Sequence, residues 1–387
     1  MGYDFTLEDV RYLSSADGTS ALTEVDQLEL SARTHLADIG RVRARFGDRT
    51  AALVETTLLR RRAEVKLDPA PDWLLTDDAL QQATPAVVAR HRAGRVAGRA
   101  VHDVTCSVGA ELSALVGVAD VVVGSDLDPV RLAMAARNVP GATVIRADAL
   151  VPCTRDTVVL ADPARRSGGK RRHDPAALVP PLPDLLDAYR GRDLSVKCAP
   201  GLDYDALDWD GEVEVVSLDG GVREACLWSP GLAGTGVRRR ATVLSADGCG
   251  WELTDAEPDD IPDREPGQWI VDPDGAVVRA GLVRHYAARH GLWQLDPRIA
   301  YLTGDAVPAG VRGFRIVEQF KYTEKALRQE LARLDCGVAE ILVRGVDVDP
   351  AVLRPRLKLR GSASLSVVLT RVGRTPVAFV CEAGVRA

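Results

Sequence analysis

Four acidic motifs, each following a short apolar run, stand in order along residues 101–166: VHDVTCSVG, VVVGSDLDP, VIRADAL and VVLADPARR. Their carboxylates, Asp103, Asp126, Asp148 and Asp162, are spaced by 23, 22 and 14 residues. Each of the first two intervals suits one strand–helix–strand unit of a doubly wound sheet, where ligands lie at the carboxyl ends of the strands. A chain patterned in this way is confined to an α/β fold with polar stations on successive strand ends. Four such stations outline an elongated ligand with one reactive end.

The surrounding pattern supports that architecture. Short β-rich runs at 100–104, 121–125, 143–146, 157–161, 194–197, 212–218 and 224–228 alternate with helical stretches beginning near Gly109, Pro129, Pro175 and Tyr204. Alternation of this kind predicts a mostly parallel sheet with right-handed crossovers. Seven strands, the last two close together, differ from the six of a dinucleotide-binding sheet. Pro129 sits at a tolerated first-turn position, with Asp128 as N-cap. Residues 1–94 read as a helical region, with apolar positions at helical spacing through Leu28, Leu30, Leu36, Ile39 and Val42, then Leu53, Val54, Leu58 and Leu59. Thr76 is a further N-cap candidate, with Asp77 and Asp78 in the favoured first turn. Residues 95–232 form the sheet domain. A Gly/Pro-rich linker, SPGLAGTG, then leads into a separate α/β unit over 237–387. Its expected elements are a strand at 238–245, a helix at 275–290, a strand at 313–320, a helix at 324–334, a strand at 338–346 and a helix at 350–356. A closing hairpin turns at Gly373-Arg374.

Bulk properties exclude several classes. No apolar run approaches the roughly 20 residues of a membrane span, and the N-terminus lacks the features of a signal peptide. Seven cysteines without a CxxC and six histidines without an HxxxH suit reduced thiols in a cytoplasm and argue against a metal site. The net charge of −6 argues against nucleic acid as a partner. Of 49 basic residues only six are lysine, so local clusters count for more than the total.

Each motif also has a chemical reading. After the first strand, Gly109 with small Thr105 and Ser107 lets a ligand approach the backbone, and Asp103 can accept from an ammonium. A single glycine there weakens the dinucleotide alternative. Asp126 can accept from both hydroxyls of a ribose. Asp148 can accept from an adenine amine, with Ala147 and Ala149 leaving room for the ring. For each of these aspartates, a plain loop or capping role stands equally at this point. Asp162-Pro163 holds a rigid backbone, from which the carboxylate and nearby carbonyls can orient an amine for in-line displacement. Behind it, Arg165, Arg166, Lys170 and Arg171 form a basic Gly-rich stretch suited to phosphates. Lys197 at a later strand end can meet substrate or pair with a carboxylate. Its neighbour Cys198 reads as a buried thiol before it reads as a nucleophile. Thr84, His91 and Arg92 lie in a helical segment that either closes over the pocket or packs on the sheet. Lys321, with Tyr322, Lys325 and Arg328, and the alternation Arg354, Arg356, Lys358, Arg360 on one face of a strand or turn, are further candidates for phosphate contact.

The four motifs resemble class I S-adenosylmethionine (SAM)-dependent methyltransferases across residues 95–230. With WLLTDDALQQATPAVVARHRAGR (73–95), VKCAPGLDYDAL (196–207) and GFRIVEQFKYTEKALRQEL (313–331), nearly the whole chain is similar to bacterial methyltransferases with a C-terminal THUMP-like domain. The resemblance implies a helical N-terminal region, a Rossmann-like seven-stranded sheet and a THUMP-like α/β domain. It also implies SAM as cofactor and RNA, tRNA foremost, as partner. It assigns Asp103, Ser107, Gly109, Asp126 and Asp148 to the cofactor and Asp162 and Pro163 to a catalytic loop; their positions beside these add Thr105, Leu127 and Ala149 to the cofactor set and Lys197 to the catalytic one. Amino-directed nucleic-acid methylases usually carry a second proline and often an aromatic residue where this chain has Ala164 and Arg165, which leaves base stacking to other residues. A small-molecule or protein acceptor, or a non-catalytic SAM-binding role on RNA, is the alternative.

Overall fold

The computed structural model describes residues 2–67, 72–165, 175–204 and 206–386. Arg166, Lys170 and Arg171 lie outside the described residues, as does the Arg165 side chain. Two compact units divide the chain. The first comprises Met1–Asp219, Arg223–Arg238 and Leu244–Gly250; the second comprises Gly220–Val222, Arg239–Val243 and Trp251–Ala387.

The first unit begins with helices α1 (Leu7–Leu13), α2 (Ala16–Asp26), α3 (His35–Phe46), α4 (Thr50–Ala63), α5 (Asp77–Gln82) and α6 (Ala86–Gly94). Local signals start them. Thr6 and Asp9 form a reciprocal capping box, and Ser15 and Thr76 accept from the backbone of the first turns of α2 and α5. Leu13, Leu22, Val25, Leu53, Leu59 and Leu74 share a core that continues into Val108 and Met134 of the sheet region. Of the apolar positions read as helical, Leu28 and Leu30 lie outside any helix, Leu30 with a φ of 50° and its N–H donated to buried Asp38. Leu36 is helical, in α3, but 87% exposed.

The sheet follows as β1 (Ala100–Asp103), α7 (Ala110–Leu115), β2 (Val121–Asp126), α8 (Pro129–Asn138), β3 (Thr143–Arg146), β4 (Val158–Ala161), α9 (Leu182–Ala188), β5 (Leu194–Cys198), β6 (Glu212–Leu218) and β7 (Gly221–Trp228). These seven strands run in the order β6-β7-β5-β4-β1-β2-β3 within a sheet of nine, two more than the sequence predicts. β1 is parallel to β2 and β4, β2 to β3, and β4 to β5, whereas β7 runs antiparallel to β5. The order reverses direction at β1 and β4, so the crevice that admits a ligand opens above their carboxyl ends. Asp128 caps α8 by accepting from Val130 and Arg131, ahead of the first-turn proline.

Two expected helix starts are displaced. Pro175 opens only a single 3-10 turn, and α9 begins at Leu182. Prolines at 180, 181 and 183 lack the N–H that a helix interior needs. No helix begins at Tyr204 among the described residues. Asp203 there accepts from the Ala206 N–H, a local bond that competes with helix.

β8 (Arg239–Leu244) and β9 (Gly250–Thr254) each have residues assigned to both units, and the second unit contains β10 (Trp269–Val271), α10 (Gly275–Arg279), α11 (Val283–His290), β11 (Trp293–Gln294), β12 (Leu302–Gly304), β13 (Arg312–Lys321), α12 (Glu324–Arg333), β14 (Cys336–Val343), α13 (Pro350–Leu357), β15 (Ala363–Val372), β16 (Thr375–Glu382) and β17 (Val385–Arg386). One sheet runs β11-β12-β10-β13-β16-β15-β14, with β17 pairing β13. β15 is antiparallel to β16 and parallel to β14. Leu327 and Leu331 of α12 and Leu353 and Leu357 of α13 bury against Ile341, Val367 and Val380. The helix expected over 275–290 is two helices, broken where Gly281 takes a φ of 77°. The Arg354–Arg360 alternation is not a strand face. Arg354 and Arg356 lie on α13, and Lys358 ends it at a φ of 51°. No described helix is long and apolar enough to cross a membrane.

Candidate active site

The carboxyl ends of β1, β2 and β4 converge on a cavity of about 480 Å³. Its lining includes Asp103, Thr105, Ser107, Asp126, Leu127, Asp148, Ala149 and Asp162. All four acidic stations therefore meet on one chamber. Gly109 stands behind the wall. Its φ is 95°, and a Cβ there would come 2.9 Å from Val139, so its part is to let the chain turn into α7.

Backbone amides order the stations. Asp126 accepts from the Ser107 N–H at 3.1 Å through one oxygen and from the Asp128 N–H at 2.9 Å through the other. Both oxygens keep a lone pair for the chamber. Ser107 itself takes a φ of 49°, which aims that N–H at β2. Asp148 accepts from the Leu150 N–H at 2.9 Å. Asp103 accepts from the Thr105 N–H at 3.0 Å and its hydroxyl at 3.3 Å, and the same hydroxyl accepts from the Asp162 N–H at 2.7 Å. One threonine hydroxyl thus joins the ends of β1 and β4. Burial, then the charges of Glu111 and Asp162, push the Asp103 carboxyl up to about 7 against the pull of the Thr105 N–H and Arg92.

A second chamber of about 380 Å³ adjoins the first and shares Gln82, Ala83, Thr84, Asp162 and Ala164 with it. Pro163, Lys197 and Cys198 line it with Lys66, Arg223 and Glu224. Lys197 donates to Asp162 at 2.6 Å and to the Thr84 hydroxyl at 3.0 Å. The Asp162 segment is anchored beyond this too, because Ala164 and Arg165 pair antiparallel with Val179 and Leu178. Cys198 is buried, donates weakly to the Val196 carbonyl, and has its thiol pushed up to about 12 by burial and then by the charge of Asp162. Such a thiol is a poor nucleophile.

His91 and Arg92 line neither chamber. His91 meets buried Glu214 at 2.7 Å, and Arg92 is buried between Glu111, at 2.7 Å, and Glu224. These contacts fasten α6 to α7 and to β6 and β7, a packing role. Thr84, at the end of the preceding segment, does reach both chambers. Sequence reasoning missed Lys66, Arg223 and Glu224. No local pattern marks them, because they meet only through the fold. In the second unit, Lys321 is exposed at the end of β13, and Lys358 is exposed after α13. Arg354 donates to the Ala339 carbonyl, and Arg356 pairs with Glu324 at 3.5 Å.

Comparison with known proteins is decisive for the family. A SAM-dependent methyltransferase of Mycobacterium tuberculosis, itself uncharacterized, is 60% identical over 358 residues, covering 88% of this chain and 99% of that protein. The chain belongs to the SAM-dependent methyltransferases. A family model described as THUMP domain-like matches residues 311–383 of the methyltransferase, which span β13 to β16, and a domain of unknown function (DUF8688) matches residues 6–63. A crystal structure from Porphyromonas gingivalis W83, where methyltransferase activity is an assignment, shares the fold with a TM-score of 0.72 at 19% identity, covering 99% of each chain. The cofactor is therefore SAM, and the first chamber suits it. Acidic acceptors stand on successive strand ends, and the backbone of the 105–109 turn lies open beside them.

Proposed function

We propose that this methyltransferase modifies a base of structured RNA, tRNA foremost, at a ring or exocyclic nitrogen held by the Asp162-Pro163 loop. The observation that carries the reading is that Asp162 borders both chambers, the acidic one that suits SAM and a second, basic one. The THUMP-like match in the second unit supports a nucleic-acid acceptor.

SAM supplies a sulfonium methyl group as the electrophile. Asp103 accepts from the ammonium, Asp126 from the ribose hydroxyls and Asp148 from the adenine amine. Leu127 and Ala149 flank the ring, and Thr105, Ser107 and Gly109 shape the turn beneath it. On the other side, the Asp162 carboxylate accepts an N–H of the acceptor, aims the nitrogen lone pair at the methyl group and receives the proton released on transfer. Lys197 fixes that carboxylate through the 2.6 Å contact. Thr105 fixes its backbone, and buried Pro163 stiffens the loop. Catalysis is then chiefly positioning. Arg165, Arg166, Lys170 and Arg171, together with Lys321, Arg354 and Lys358, serve as phosphate contacts in this reading.

RNA from a deletion strain, digested and compared by mass spectrometry, should lack one methylated nucleoside that a plasmid copy restores. An unchanged nucleoside profile in both tRNA and rRNA would refute the reading. It would favour a small-molecule or protein acceptor, which the net charge of −6 suits.

A further inference from the structure

We propose that the second chamber is a phosphate-binding site in which Lys66 and Arg223 grip a phosphate next to the methyl-accepting base. The proposal rests on the RNA reading for the source of the phosphate, but the site itself is argued from the charges that line the cavity.

Among the described residues, five charged side chains face this chamber: Lys66, Lys197, Arg223, Asp162 and Glu224. Both of these carboxylates are already committed. Asp162 is paired with Lys197, and Glu224 is paired with buried Arg92. Lys66 instead donates to the carbonyls of Leu80 and Gln81, both at 2.8 Å, and Arg223 donates to the Leu218 carbonyl at 3.4 Å. Those carbonyls satisfy hydrogen bonds but carry no net charge. An ammonium has three donors and a guanidinium five, so both groups keep donors for a ligand.

A helix-capping role accounts for part of the Lys66 geometry, since Leu80 and Gln81 belong to the last turn of α5. It does not account for Arg223 beside it. Burial first, and then repulsion from Lys197 and Arg223, bring Lys66 down to about 8. Among the described residues, three cations therefore face one cavity with two carboxylates, both already paired, an imbalance that a bound anion would relieve. Scarcity adds weight, because two of only six lysines in the chain face this cavity. Phosphate is the anion that suits a lysine and an arginine acting together with donors to spare. The same chemistry serves an RNA phosphodiester or a free phosphate monoester, and the two sources separate experimentally.

Lys66→Gln, Arg223→Gln and the double variant would be compared with wild type, with Lys66→Arg as the charge-retaining control. In the first arm, binding of tRNA from a deletion strain is followed by fluorescence anisotropy across a salt series, with SAM affinity measured by calorimetry. Each neutral substitution should reduce the slope of log K against log salt by about one and weaken binding several-fold, the double variant by about two in slope. Lys66→Arg should restore it, and SAM affinity should not change. In the second arm, inorganic phosphate and 5′-AMP are titrated against thermal unfolding. If wild type binds no tRNA but is stabilised by phosphate and the double variant is not, the phosphate site stands while the RNA reading fails. Equal salt slopes in all variants, with no phosphate-dependent stabilisation of wild type, would overturn the proposal.

Discussion

The two adjoining chambers are built by opposite means. The cofactor chamber is acidic and ordered by main-chain donors, each carboxylate held by an N–H within two residues or from the neighbouring strand end. The second chamber is basic and ordered by side chains at positions 66, 84, 162, 197 and 223, drawn from widely separated segments. A chamber ordered by backbone can be read from local motifs and spacing. One assembled from distant side chains cannot. Under the proposed function, cofactor identity and acceptor identity would be encoded separately, with Asp162 as the shared wall.

The sharpest way to break the comparison is to alter that wall. Asp162→Asn keeps the shape but removes the charge that Lys197 holds and the acceptor for the transferred proton. Methyl transfer should fall by about 10²- to 10³-fold, while SAM affinity measured by calorimetry stays within a few-fold. If SAM affinity collapses instead, Asp162 belongs to the cofactor chamber alone. Asp126→Ala should do the reverse. It removes a carboxylate that two amides orient toward the chamber, so the SAM Kd should rise by about 10- to 100-fold.

The acidic chamber should also respond to pH through Asp103. With Asp103 pushed up to about 7, the folded protein retains a proton there that an unfolded chain releases near pH 3.9. The sign follows. Stability without cofactor falls as pH rises from about 4 through 7. An ammonium ligand prefers the ionised carboxylate, so SAM affinity should rise between pH 6 and 8 with release of a proton, measurable by calorimetry in buffers of different ionisation enthalpy. Asp103→Asn should flatten that dependence. The smallest effect belongs to Cys198→Ala. Its buried thiol has no assigned role, and turnover should remain within about two-fold of wild type. Abolished activity with a C5-methylpyrimidine product would instead make it the nucleophile.

Much of the fold was legible because its signals are local. The spacing of the four aspartates, the Asp128-Pro129 helix start and the Thr76 cap each depend on a few neighbouring residues, as does the Gly373-Arg374 hairpin. β11, with two residues, and β10 and β12, with three each, are too short to show a period, so the sequence carried no trace of them. The 275–290 stretch kept a helical pattern across Gly281, and only the backbone there shows the break. Tyr204 and Pro175 misled for a related reason, since aspartates and clustered prolines oppose the helix that the apolar spacing suggests. At the site, Lys197 was visible as a strand-end lysine, but its pairing with Asp162 and Thr84 was not. Lys66 and Arg223 had no sequence signal at all, because what singles them out is the charge balance of a cavity.

The central claim is that methyl transfer crosses from the acidic chamber to the basic one at Asp162. Purified protein incubated with methyl-labelled SAM and tRNA from a deletion strain, followed by nucleoside mass spectrometry, tests it most directly. The account predicts label in a single N-methylated nucleoside with wild type and its near-absence with Asp162→Asn. Label absent from the RNA with wild type, or equal labelling by Asp162→Asn, would contradict it.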